Sequence, residues 1–261
     1  MDRYARAEAL ARTTLSFADA ALRVSYVVNI ARTWDVGTFA RALDAVCEQA
    51  EQAEVASREA LFAIVDALNA AEMEGIVQRL REQAVGESLL ALERLVRSPL
   101  RASRPDALGK AEVAVAGPRG RQLTLGERKA LARRPDRDTM QRLLADSHPD
   151  VIRRLLRNPR ITEDDVVRLA AKRPGKSEVL AEIARSTKWA HGPRVRMALV
   201  MNPATPIEIA ARVSGLLLRP ELERVAGSPG VPASVRAVCI EHLARRPPVE
   251  GRVGRGGAPV H

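Results

Sequence analysis

Leu155-Leu156-Arg157-Asn158-Pro159-Arg160-Ile161-Thr162-Glu163-Asp164-Asp165-Val166-Val167-Arg168-Leu169-Ala170 reads as the end of one helix, a proline corner, a helix cap and the start of the next helix. Proline has no N–H to donate and disfavours a helical residue before it, so it stops the incoming helix. Acids at 163–165 suit the positive end of the outgoing helix dipole.

Working outward, six prolines mark such ends: Pro135, Pro159, Pro174, Pro203, Pro229 and Pro247. Four residues before them stand Leu131, Leu155, Ala170, Leu199, Val225 and Leu243, and three before stand Ala132, Leu156, Ala171, Val200, Ala226 and Ala244. All twelve are apolar, so each last turn is expected to anchor on a core. Leu180, Ile209 and Val235 follow their prolines by six residues, with Met140 and Val166 one residue out of register. Asn202-Pro203-Ala204-Thr205-Pro206-Ile207-Glu208-Ile209 aligns without gaps to Ser228-Pro229-Gly230-Val231-Pro232-Ala233-Ser234-Val235. Thr124 with Glu127 reads as a capping box, and Thr205-Pro206 with Glu208 as another. The proline spacings of 24, 15, 29, 26 and 18 are irregular, which fits degenerate repeats. Units this short cannot bury their own apolar faces. They must stack, and the expected fold is all-α: an N-terminal helical bundle followed by a short α-solenoid of degenerate repeats.

Asn158-Pro159-Arg160-Ile161-Thr162 and Asn202-Pro203-Ala204-Thr205-Pro206 resemble the leucine-rich-repeat-variant class of bacterial helical repeats. Ser147-His148-Pro149-Asp150-Val151 is similar to turns in HEAT-like repeats. The resemblance covers residues 124–247. It implies a right-handed helical superstructure with a binding role in a bacterial cell. Members of the variant-repeat class can carry an iron–sulfur cluster on an N-terminal cysteine group. This sequence has only Cys47 and Cys239, so that feature does not transfer.

Residues 1–98 show helical periodicity without a single proline before Pro99. Leu10, Thr14, Phe17, Ala21, Val24 and Val28 predict one long helix over 3–32. Trp34 to Thr38 read as a break. Phe39, Leu43, Val46 and Ala50 open the next helical pattern, and Glu48, Glu51, Glu54 and Glu59 are expected on a solvated face. Residues 99–123 are rich in Pro, Gly and Arg and read as a linker, with Glu112 to Val115 a weak strand pattern inside it. Residues 248–261 read as a disordered tail.

Charge divides the chain. Residues 1–92 hold 9 cations and 14 anions, and the remainder holds 33 and 18. That imbalance points to an anionic partner or to contact between the halves. The cations are overwhelmingly Arg, a composition that also arises on ordinary solvated helix faces. Aromatics are 3%, so the core must be Ala, Leu, Val and Ile. Two distant cysteines give neither a disulfide framework nor metal spacing, and a reducing, cytoplasmic setting is expected. No signal peptide and no membrane-length apolar run is evident, so no membrane insertion is expected.

The candidate binding residues are corner cations. Arg133, Arg157, Lys172 and Arg245 sit two before a proline, with Arg134, Arg173 and Arg246 beside them; Arg153, Arg154 and Arg160 bracket the central corner, and Arg194 and Arg196 open a later helix. In register, these charges would line one edge as a track for an acidic protein or for phosphates. Cations at helix C-termini also have a local reason to be there, worth about 0.3–1 kcal/mol each. Trp189, read as lying in a loop, is a candidate partner anchor or the cap of a helical core. No catalytic constellation, cofactor motif or metal set is evident. The expected function is a non-enzymatic protein-interaction scaffold. The alternative is a nucleic-acid binder using the Arg-rich edge; a helical-repeat DNA glycosylase is disfavoured by the scarcity of aromatics.

Overall fold

The computed structural model describes residues 2–98, 121–133, 135–146 and 148–246. Residues 99–120, Arg134 and 247–261 lie outside that set, so most of the linker, the 112–115 strand pattern and the tail do too. The chain is all-α, with no strand among the described residues.

The N-terminal half holds α1 (Arg3–Ser16), α2 (Ala20–Thr33), α3 (Val36–Glu51), α4 (Val55–Asn69), α5 (Glu74–Gly86) and α6 (Leu90–Val96). The single helix expected over 3–32 is two helices. Asp19 is the reason: its carboxylate accepts from the N–H groups of Ala21 and Leu22 at 2.7 and 3.1 Å and starts a new helix there. Asp35 does the same for Thr38 at 2.9 Å, so α3 begins earlier than the apolar pattern predicts. The middle helix α3 is covered by α1, α4, α5 and α6 and buries Phe39, Ala40, Leu43, Val46 and Cys47. It also buries Asp44, whose Oδ1 accepts from the N–H groups of Ala91 and Leu92, both at 3.0 Å. A side chain from one helix thereby caps another, supplying what Leu89 at the start of α6 cannot.

Helix α3 ends in a Schellman turn. Ala53 N–H donates to the Ala50 carbonyl and Glu54 N–H to that of Gln49, with Ala53 at φ 65°. Ser88, at φ 55°, occupies the same place after α5.

The second half holds α7 (Leu125–Leu131), α8 (Arg137–Leu143), α9 (Pro149–Leu156), α10 (Glu163–Ala171), α11 (Ser177–Ala184), α12 (Thr187–Ala190), α13 (Pro193–Met201), α14 (Ile207–Ser214), α15 (Arg219–Ala226) and α16 (Ala233–Arg245). The capping boxes at Thr124–Glu127 and Thr162–Asp165 are both formed. The one expected at Thr205 is not. Its hydroxyl is buried and donates backwards to the Leu199 carbonyl at 2.6 Å, leaving α14 without a side-chain cap.

Residues four before the prolines carry most of the anchoring: Leu155, Ala170, Leu199 and Val225 are fully buried. Leu131, 39% exposed, and Leu243, half-buried, fall short; of the residues three before, Ala132, Leu156 and Val200 are buried, whereas Ala171 and Ala244 are exposed and do not anchor the core. Met140, Val166, Leu180, Ile209 and Val235 are buried as the periodicity predicts.

Helix α13 lies beside a non-adjacent partner, α10, and runs the same way. Arg194 at the start of α13 pairs with Asp164 at the start of α10 at 2.6 Å, and Asn202 after α13 bonds the Ala170 carbonyl at the end of α10. Likewise α9 packs between α7 and α11. The two halves have separate apolar cores, with Leu216 of the second half inserted into the core of the first.

Candidate functional site

The Asn-Pro corners act as staples. Asn158 is 4% exposed, and its Oδ1 accepts from Arg160 N–H at 2.9 Å while its Nδ2 donates to the Arg133 carbonyl at 3.2 Å. Asn202 is 2% exposed: Oδ1 accepts from Ala204 N–H at 3.0 Å, and Nδ2 donates to the carbonyls of Ala170 and Lys172 at 2.7 and 3.0 Å. One amide therefore holds its own turn and satisfies the exposed carbonyls at an earlier helix end. Gly175 makes room, since a Cβ there would stand 3.1 Å from Asn202 Nδ2. The next corner has Ser228, too short for this reach. There Arg173 Nη2 supplies the donor from the other side, to the Met201 carbonyl at 2.7 Å.

These bonds tie four of the corners into two groups. Asn158 ties the Pro159 corner to that of Pro135; Asn202 and Arg173 tie the Pro203 corner to that of Pro174. Among the described residues no hydrogen bond joins the two groups.

The candidate cations have separate fates. Arg133 and Arg157 project from one group and Lys172 from the other; all three are exposed and without a side-chain partner among the described residues. Arg154 is half-buried and also unpaired. Arg160 is exposed with a long contact to the Pro135 carbonyl, and Arg173 is held as described. Arg153 is spent within the molecule, forked onto Glu182 at 2.6 and 2.9 Å, and Arg194 is spent on Asp164. Arg196 is buried, donating to the His191 carbonyl at 2.5 Å with its guanidinium 4.8 Å from the Phe62 ring centre. Arg134 lies outside the described residues. Trp189 sits in the short helix α12, not in a loop. Its Nε1 donates to the Leu156 carbonyl at 2.8 Å and its ring packs on the second core, so it is an internal brace.

The contact between the halves is lined by cations from the second half. Arg185 donates to the Asn69 carbonyl at 3.1 Å, and Arg212, 6% exposed, to the Leu68 carbonyl at 3.1 Å and Asn69 Oδ1 at 2.9 Å. Both cap the C-terminal end of α4, where positive charge is favoured. Burial lowers the Arg212 pKa to about 10. His191 Nε2 lies 2.7 Å from Asp66 Oδ2, a carboxylate whose pKa is raised by burial. A His–Asp pair of this kind can serve a general base. No hydroxyl or thiol is bonded to His191 among the described residues. Arg97 pairs with Glu241 at 2.7 Å across the same seam.

Glu51 is buried at the seam, not on the solvated face expected of it. Arg94, itself 3% exposed, grips it with bonds of 3.0, 2.7 and 2.7 Å. Burial disfavours this carboxylate, yet contacts to His242 and Arg94 hold its pKa below the ordinary value. His242 Nδ1 is 3.5 Å away, short of a well-formed hydrogen bond, and burial lowers the His242 pKa. Arg246, expected beside the outer ridge, turns inward and donates to the carbonyls of Gly215 at 2.6 Å and Leu217. Outside this node lies a cleft of about 230 Å³ bordered by Arg58, Arg219 and Arg246.

Sequence periodicity carried a signal for Glu51. Phe39, Leu43, Cys47 and Glu51 are four apart on one buried row. Arg58 and Arg94 had none, because the Arg94 partner lies 43 residues away on α3 and the surroundings of Arg58 are set by the docking of the halves; Arg219 pairs with Glu223 in its own helix.

Among the described residues no three His, Cys, Asp or Glu side chains are placed to hold a metal, and no helix is long and apolar enough to cross a membrane. No protein-family model matches the chain, and comparison with curated proteins and with solved structures finds no match either.

Proposed function

We propose that the chain is a non-enzymatic interaction scaffold, a short α-solenoid whose corners dock an acidic surface on a protein partner. The observation that supports this is the contrast among its cations. Arg153, Arg194 and Arg196 are consumed by internal acceptors, whereas Arg133, Arg157 and Lys172 stand exposed without one. The backbone carbonyls of Arg133 and Lys172 are the groups that the Asn staples hold, so these free charges rise from fixed points. Held backbones fix where these side chains emerge, and charge complementarity there favours an acidic surface. Both cysteines are free and buried, in keeping with a reducing cytoplasm.

The test uses a fluorescent poly-glutamate peptide and, separately, a nonspecific DNA duplex, each titrated with the full chain at several salt concentrations. The scaffold reading expects the acidic peptide to bind, with affinity lost when Arg133 and Arg157 are reversed to Glu. Peptide binding that ignores the reversal overturns it. Tighter, steeply salt-dependent binding of the duplex transfers the same corners to nucleic acid.

A further inference from the structure

We propose that the cleft at the seam, between the turn after α3 and the α15–α16 pair, binds a small phosphorylated ligand through Arg58, Arg219 and Arg246. Three guanidinium-bearing residues reach it from three helices: Arg58 from the first turn of α4, Arg219 from the start of α15 and Arg246 from the end of α16.

The charges there do not balance. Glu51 is the one carboxylate on the wall, and Arg94 already grips it in a fork. Arg219 is offset by Glu223 at 3.2 Å and anchored to the carbonyls of Leu243 and Arg246 at 3.2 and 3.0 Å. The Arg58 side chain has no hydrogen-bond or ion-pair partner among the described residues. Arg246 has only backbone carbonyls, and its Nε is buried with no acceptor at all. Burial first, and then the Arg58 charge, lower the Arg246 pKa to about 10. Arg58 and Arg246 repel one another across the cleft, and neither forms an ion pair with a carboxylate among the described residues, Glu51 and Glu221 offsetting Arg246 only from a distance; that is a poor arrangement for stability alone. A dianion between the two cations cancels both charges, and a phosphate monoester carries that charge with oxygens suited to guanidinium forks.

The size selects the ligand. At about 230 Å³ the cleft is smaller than the roughly 300–1,000 Å³ of drug-sized sites. It suits a phosphate with a short carbon body, for which Ala53, Leu218 and Pro220 provide an apolar wall. Arg58 is the discriminating residue, because its side chain has no hydrogen bond or ion pair among the described residues to lose.

The experiment is calorimetric titration of the full chain at constant ionic strength with inorganic phosphate and with glycerol phosphate. Wild type and Arg157→Met, which removes one exposed cation elsewhere, are expected to bind at one site with equal affinity. Arg58→Met, checked for an unchanged melting temperature, is expected to bind about ten-fold more weakly, the effect of one charge-assisted hydrogen bond. Binding of the ester in preference to the free ion identifies a phosphorylated small molecule; equal binding identifies phosphate itself. No saturable heat from either ligand, or an Arg58→Met titration that overlays that of wild type, overturns the proposal.

Discussion

Asn202 offers the sharpest test of how the repeat corners are held. Truncation to Ala removes the bonds at 2.7 and 3.0 Å to the Ala170 and Lys172 carbonyls and the 3.0 Å bond from Ala204 N–H, at a position 2% exposed. Each bond is worth about 1 kcal/mol net, and carbonyls left buried without a donor add to the loss. The expected cost of Asn202→Ala is therefore about 3 kcal/mol. Asn158→Ala should cost less, about 2 kcal/mol, since its cross-corner bond is a single one of 3.2 Å. Asn202→Asp separates staple from shape. Its carboxylate would face two carbonyl oxygens, so at neutral pH it should be less stable than the Ala variant. As pH falls and the acid gains a proton, one donor returns and the gap should narrow. Urea unfolding followed by circular dichroism at pH 7.5 and 4.5 reads all three. An Asn202→Ala variant within about 0.5 kcal/mol of wild type, the range of an ordinary surface change, would refute the staple.

Three other outcomes follow from the seam and the turns. Glu51→Leu or Arg94→Met alone should each destabilise by about 3–5 kcal/mol, while Glu51→Leu with Arg94→Met should recover most of the loss, measured as a double-mutant cycle. Ala53→Gly should raise stability by about 0.5–1 kcal/mol, because a left-handed residue with a Cβ costs about 1–2 kcal/mol and the entropy cost of glycine cancels only part of that; the unfolding midpoint reads it. His242 has a folded pKa below its unfolded one, so the unfolded chain binds the proton more readily, and the stability from neutral His242 is present above the ordinary histidine pKa of about 6.5 and lost as pH falls below it. The urea midpoint of His242→Gln should then fall less than that of wild type between pH 7.5 and 5.5, and an equal fall would count against a buried neutral histidine.

The helical class and the corners were legible in the sequence because both depend on local chemistry. Proline stops a helix wherever it stands, and Thr162 caps α10 through a contact three residues away. Local reading erred where a distant group won. Thr205 had the pattern of a cap, but the Leu199 carbonyl captured its hydroxyl. Asp19 split a stripe whose apolar spacing ran on through it, since periodicity does not register a competing cap. The binding residues were less legible. Arg153 and Arg157 look alike in sequence, but Arg153 meets Asp150 one turn before it and, across the helices, Glu182 from α11, whereas Arg157 meets neither. Arg196 and Arg246 carry outward-facing positions in the repeat pattern but turn in, because the N-terminal half covers that face.

The measurement closest to the central claim compares two neutralised pairs of equal charge. Arg133→Gln/Arg157→Gln removes cations that have no internal acceptor, while Arg32→Gln/Arg194→Gln removes cations already paired with Glu72 and Asp164 on the surface. Titrated against the same poly-glutamate probe at one salt concentration, the first pair should lose at least ten-fold in affinity and the second should stay near wild type. Equal losses in both would mean that the peptide senses only net charge and that the stapled corners are not a docking surface.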